Sequence, residues 1–177
     1  MKRPFLLTAF VAALLLFASQ VTAQPAGLGE GVGGELQVVS EQLVALAEAI
    51  PGDKYNWRPR EGVQSVAEVF LHTATTNFWL LRQTGVEPPA GFDLAPDLAN
   101  AVSPKAEVIA WLKASVQTVR QSYAAVGQGE KTRGVRLFNR DTTVEGVYIR
   151  TLAHMNQHMG QAVAYARVLG VTPPWSR

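Results

Sequence analysis

From residue 35 to residue 170 the apolar positions fall into four blocks at helical spacing, each closed by glycine or proline. This pattern limits the fold more than any other feature, because such stripes are buried only by laying helix against helix. In the first block, Glu35 to Ile50, residues Leu36, Val39, Leu43, Ala47 and Ile50 form one stripe, and Pro51-Gly52-Asp53 ends it. An extended connection, Tyr55 to Pro59, follows, since Arg58 precedes a proline and is pushed out of the helical region. The second block opens at Ser65, which with Glu68 makes a reciprocal cap, and runs through Phe70, His72, Asn77 and Trp79 to about Thr84. Gly85 stops it, and a proline-rich loop, Glu87 to Val102, leads on. The third opens with Ser103-Pro104, a cap followed by proline at the first helical position. Its face carries Val108, Trp111, Leu112, Ser115, Val119, Tyr123 and Val126, and Gly127 closes it. The fourth and longest starts from a capping box of Thr142 with Glu145 and ends at Gly170, ahead of Pro173-Pro174. Val135 to Phe138 has extended character but is too short to found a sheet. The expected fold class is therefore all-α, a four-helix bundle.

Ahead of the bundle stands a different kind of segment. Met1-Lys2-Arg3-Pro4 is basic, Phe5 to Phe17 is apolar and uncharged, and Val21-Thr22-Ala23 offers small residues for cleavage. Together these describe a Sec-type signal peptide over residues 1–23, a mature chain from Gln24, and a periplasmic or secreted product. The apolar run is shorter than the roughly 20 residues of a membrane span, so no stable span is expected after cleavage. Residues 24–34, rich in glycine, read as a flexible linker, and residues 35–177 as the bundle. Cleavage also changes the charge. Removing Lys2 and Arg3 from the 16 basic residues leaves 14 against 14 acidic ones, so the net charge of +2 belongs to the signal. A neutral domain is a poor binder of phosphate backbones, and no nucleic-acid partner is expected. The one basic cluster, Lys131, Arg133, Arg136 and Arg140, is flanked by Glu130 and Asp141 and reads as a solvated loop. With no cysteine, disulfides, thiolate ligands and cysteine nucleophiles are all excluded.

The chain has 3 histidines, and each falls within a predicted helix. His154 and His158 lie one turn apart on the fourth helix, sharing a face with Val147, Thr151, Ala162, Tyr165 and Leu169. Two imidazoles on a core-facing stripe must hydrogen-bond or coordinate something, because bare burial of a polar group is costly. Their spacing lets both rings converge on one cation, and neutral imidazole suits zinc, nickel, copper and iron. His72, midway along the second helix, is the only histidine left to serve as a third ligand. It falls on that helix's flank with Val69, Thr76 and Trp79, and the helix is apolar most of the way round. A metal triad and a pair of internally satisfied core histidines therefore both remain open. Gln161, one turn past His158, is placed to orient a bound water or to satisfy core polarity; Asn77 is similar. Trp57 and Trp175 read as packing pieces that pin loop and tail, and Tyr165 as a core tyrosine.

Tyr55-Asn56-Trp57-Arg58-Pro59, Ser65-Val66-Ala67-Glu68-Val69 and His72 resemble the first half of the DinB/YfiT-like family of metalloenzymes. The run His154-Met155-Asn156-Gln157-His158-Met159-Gly160-Gln161, with Gly170 to Trp175, resembles its last helix and tail. The resemblance covers essentially the whole mature chain. It implies an up-down-down-up four-helix bundle with one divalent metal on His72, His154 and His158. Two departures bear on chemistry. The export signal argues against the small thiol cofactors used by cytoplasmic members. Met155 stands where the His-Glu-x-x-His peptidases carry glutamate, so no general base is named.

Three functions follow as expectations. The first is a metal-dependent hydrolase or transferase of a small-molecule substrate, with zinc or nickel as the leading ion and an open coordination position. The second is an exported metal-binding protein without catalysis. The third is a structural bundle, with room for a homodimer through a helix face. No residue identifies the substrate.

Overall fold

A computed structural model of the chain describes residues 27–92 and 104–176. The expected signal peptide and the expected cap at Ser103 lie outside the described residues. Helix α1 spans Gly31–Ala49, α2 Val66–Arg82, α3 Lys105–Ala125, the single turn α4 Gln128–Lys131, and α5 Val144–Val168. Two short strands, β1 (Gly134–Leu137) and β2 (Arg140–Thr143), stand between α4 and α5. Among the described residues no helix is long and apolar enough to cross a membrane.

The α2 cap forms as the sequence dictates. Ser65 Oγ accepts from the Glu68 backbone N–H, and the Glu68 carboxylate accepts from the Ser65 N–H at 2.6 Å. Three other boundaries differ from expectation. Helix α1 begins at Gly31, inside the expected linker, because the glycines there build a turn. Gly29 and Gly31 take φ of 78° and 72°, and the Gly29 N–H donates to the Glu35 carboxylate at 2.8 Å. At α3, Pro104 is the cap rather than the first helical residue, since its ψ of 144° lies outside the helical range. At α5 the cap is Thr143, accepting from the Gly146 N–H at 3.1 Å. With Val144 as the first helical residue the third is Gly146, so the expected capping box of Thr142 with Glu145 does not form.

The hairpin is the element that periodicity did not reveal. Strands β1 and β2 are antiparallel, joined through Phe138 and Asn139 at φ of 49° and 60°. Two left-handed residues at a two-residue turn match the right-handed twist of the strands, a geometry usually met by Asn-Gly. Holding a bulky aromatic there costs about 1–2 kcal/mol. Leu137 offsets this by joining Leu80 of α2 and Val147 of α5 in a small apolar cluster. The basic loop is solvated and internally neutralised, as read: Arg133 pairs with Glu130 and Arg136 with Asp141.

Polar tethers at the helix ends fix the topology. Lys105 Nζ donates to the Glu48 and Ile50 carbonyls at 2.7 Å, placing the start of α3 at the end of α1. The Tyr123 hydroxyl donates to the Glu145 carboxylate at 3.2 Å, placing the end of α3 at the start of α5. Arg133, whose carbonyl caps the Val144 N–H, donates to the Thr84 carbonyl at 2.9 Å, bringing the end of α2 there too. Helices α1 and α5 thus run one way and α2 and α3 the other: up-down-down-up. Each of α1 and α2 packs against both α3 and α5. Between them lies one core, including Leu36, Leu43, Phe70, Phe78, Leu112 and Met155, all fully buried. Each such side chain contributes roughly 1.5–3 kcal/mol by leaving water.

Candidate metal centre

Because α2 and α5 are antiparallel neighbours, the middle of one lies beside the middle of the other. There the three histidines meet. His72 Nε2 lies 3.2 Å from His154 Nε2, and His158 Nε2 lies 3.1 Å from the same atom. The ligand atoms of all three lie within 4.8 Å of one another. His154 and His158 are buried and His72 is half-buried, so the cluster sits just beneath the surface, between the two helices. The flank position of His72 on α2 therefore faces α5 and not solvent alone.

The protons on these rings decide whether a cation fits. His158 Nδ1 lies 3.0 Å from the Gln161 amide oxygen, which only accepts, so that nitrogen carries the proton. Its Nε2 lone pair then points into the cluster. His154 Nε2 faces both other rings and carries one proton at most, which cannot serve both contacts as a linear hydrogen bond. His154 Nδ1 is buried without a partner. A cation between the three Nε2 atoms satisfies every lone pair at once. The two separations from His154 Nε2 agree, since two imidazole nitrogens about 2.05 Å from a tetrahedral ion stand about 3.3 Å apart. Burial first, then His158, His72 and the Arg150 guanidinium, push His154 down to about 3. Burial and then His158 also push His72 down. Both rings are thus neutral at pH 7, the form that donates to metals.

Around the three histidines the chain builds a supporting layer. Gln161 holds His158 and donates from its amide nitrogen to the Tyr165 hydroxyl at 3.1 Å. Tyr165 in turn meets the edge of Trp57, ring centroids 5.4 Å apart, which ties the connection before α2 to α5. Such outer partners fix ring orientation and tautomer. Asn77 takes no part. It donates to Ser115 Oγ at 3.3 Å on α3 and belongs to the core. Trp175 lies on a short turn that packs against α1. No carboxylate belongs to the histidine cluster among the described residues. A cavity of about 940 Å³ lies elsewhere, between α1 and α3, and holds none of the three histidines. The sequence reading missed Arg150. Its position one turn before His154 was the available signal, hidden by the ordinary exposure of arginine on a helix.

An antiparallel pair of helices carrying three convergent histidines inside an up-down-down-up bundle defines a class of helical proteins with a histidine site at mid-bundle. Residues 35–162 match the family model of the DinB superfamily, and the chain belongs to that superfamily. Among solved structures it is similar to a DinB-like protein from Bacillus cereus, at 18% identity and a TM-score of 0.65, covering 80% of this chain and 94% of that one. A DinB-like protein from Bacillus subtilis, YjoA, is similar at 17% identity and a TM-score of 0.62, covering 80% and 93%. No curated protein matches the chain. At these identities the solved structures speak for the fold alone.

Proposed function

We propose that the chain is an exported metalloenzyme, a hydrolase or transferase of a small molecule, whose His72, His154 and His158 hold one divalent cation. The observation that carries this reading is the set of Nε2 atoms 3.1 and 3.2 Å apart, close to the edge of a tetrahedral coordination shell. Three neutral nitrogens favour zinc or nickel over calcium or magnesium, which prefer oxygen. A divalent ion held by three protein ligands supplies Lewis acidity at its open position. The remaining work falls to the chain. Gln161 keeps the His158 lone pair inward, Tyr165 keeps Gln161 in place, and Trp57 closes the flank.

Elemental analysis of protein purified without an affinity tag tests the metal, with one equivalent expected. His158→Ala should lose it at neutral pH, and a full equivalent retained would refute the ligand set. A second reading, metal binding without catalysis, is favoured by the histidine cluster bringing no carboxylate among the described residues. A screen for substrate turnover with metal-free protein as control separates the two. Export rests on the first 23 residues, and the mass of the chain recovered outside the cytoplasm tests it, with cleavage expected before Gln24.

A further inference from the structure

The seam between α2 and α5 beside the histidines has an order set by the antiparallel helices. His72 meets His154, and further along Leu80 meets Val147. Between those two crossings, on the α5 side, stands Arg150. It lies one turn before His154, about 40° round the helix at roughly 100° per residue, and it is exposed. Among the described residues no carboxylate pairs with it: each ion pair that forms involves another cation. The histidine cluster brings no carboxylate either. A divalent ion there would keep its full charge, next to an unpaired guanidinium. That local excess of positive charge favours an anion.

Beyond Arg150 the chemistry changes. Trp79 lies on the face of α2 that carries His72, two turns on and about 10 Å away at roughly 1.5 Å per residue. Its ring stands 5.2 Å from that of Phe138 at the hairpin tip. Both are open to solvent, Trp79 by 39% and Phe138 by 64%. Phe138 holds a left-handed turn position that asparagine or glycine fills more easily. Neither core packing nor backbone preference accounts for a large aromatic there. Its ring packs on Trp79 and leaves an apolar surface open to solvent.

We infer that the site takes a small organic anion with an apolar tail, its charged group between Arg150 and the histidine-held cation and its tail on Trp79 and Phe138. This rests on the metal reading above. A tail of about five carbons reaches from the charged group to the aromatic pair, and its burial adds to affinity.

The test uses the full chain loaded with cobalt(II), whose visible absorption reports ligands at the open position, titrated with acetate, hexanoate and hexanamide. Hexanoate should bind at least about tenfold more tightly than acetate, and hexanamide should leave the spectrum unchanged. Arg150→Gln should weaken both acids by about tenfold or more while keeping one equivalent of cobalt. Phe138→Ala should remove most of hexanoate's advantage and leave acetate unaltered. Equal affinity for hexanoate and acetate, equal affinity for the amide, or an unchanged Arg150→Gln titration would each overturn the proposal. A chain that takes up no cobalt removes the metal reading and this proposal with it, and the two failures are told apart by metal content.

Discussion

Acidifying the metal-free protein should destabilise it through His154, by an amount that the site's burial fixes. In the unfolded chain His154 titrates near its ordinary value of 6.5, whereas in the fold it is held down to about 3. Between those values the unfolded state binds a proton that the folded state refuses, so stability falls as pH falls and rises as it rises. From pH 7 to pH 5 the loss is set by the unfolded value, because pH 5 lies far above the folded one. The difference of 6.5 and 5, at 1.36 kcal/mol per unit, gives about 2 kcal/mol. That is a large share of a domain stability of roughly 5–15 kcal/mol. His72 is shifted the same way and adds to the loss. Urea unfolding in the presence of a chelator, at pH 7 and pH 5, measures the total. The same pair of measurements on His154→Gln isolates the ring, since carboxylates and His72 contribute to both proteins. The variant's stability should depend less on pH, by about 2 kcal/mol over this window. Identical pH dependence in the two proteins would refute the claim that His154 is buried neutral.

Other perturbations report on separate layers of the structure. Gln161→Leu should lower metal affinity by about 10–100-fold in a competition titration while leaving the unfolding midpoint of the metal-free chain nearly unchanged, as expected for an outer partner of a ligand. Ser65→Ala removes the hydroxyl that caps α2 and should cost about 1 kcal/mol by urea denaturation. Phe138→Asn relieves the left-handed aromatic and should raise stability by about 1 kcal/mol, a gain that a thermal melt reads directly. A fall in stability there would show that the stack on Trp79 outweighs the backbone strain.

Much of this architecture is legible in the chain because it is written in local signals. The Ser65 and Glu68 pair marks the start of α2, and the stripe from Leu36 to Ile50 marks the buried face of α1. Spacing puts His154 and His158 on one face of α5, although by itself it leaves open what they bind. The hairpin does not, for a physical reason. Strand β2 is Arg140-Asp141-Thr142-Thr143, with no apolar alternation, and its turn lacks the Asn-Gly signal. Its stability comes from Leu137 packing on Leu80 and Val147, residues far from one another in sequence. The α5 cap lies one residue later than its local signal, because strand pairing runs on through Thr143 opposite Gly134 and the helix starts only at Val144. Arg150 stayed hidden because a charged residue on a helix reads as solvated surface until its neighbours across the groove are known.

The orientation of His72 is the hardest feature to read from sequence, and the fold shows what sets it. Helix α2 is apolar almost all round, so a stripe cannot choose its rotation. Contacts on three sides do. Phe78 meets the edge of Trp111 on α3, with ring centroids 6.1 Å apart, and Asn77 donates to Ser115 on the same helix. Leu80 closes on the hairpin and α5. At the other end the Tyr55 carbonyl accepts from the Ala67 N–H at 2.9 Å, clamping the first turn. These leave one strip of α2 partly open, carrying His72, Thr75 and Trp79. Rotation by a single residue, roughly 100°, would turn His72 away from α5 and break every one of these contacts. The histidine cluster is thus a product of the rotational register of α2, and the hairpin that looks peripheral helps to lock it. Removing the Leu137 side chain with Leu137→Ala should therefore weaken metal binding as well as stability, although Leu137 touches no ligand. Unchanged metal affinity in that variant would show that α3 alone holds the register.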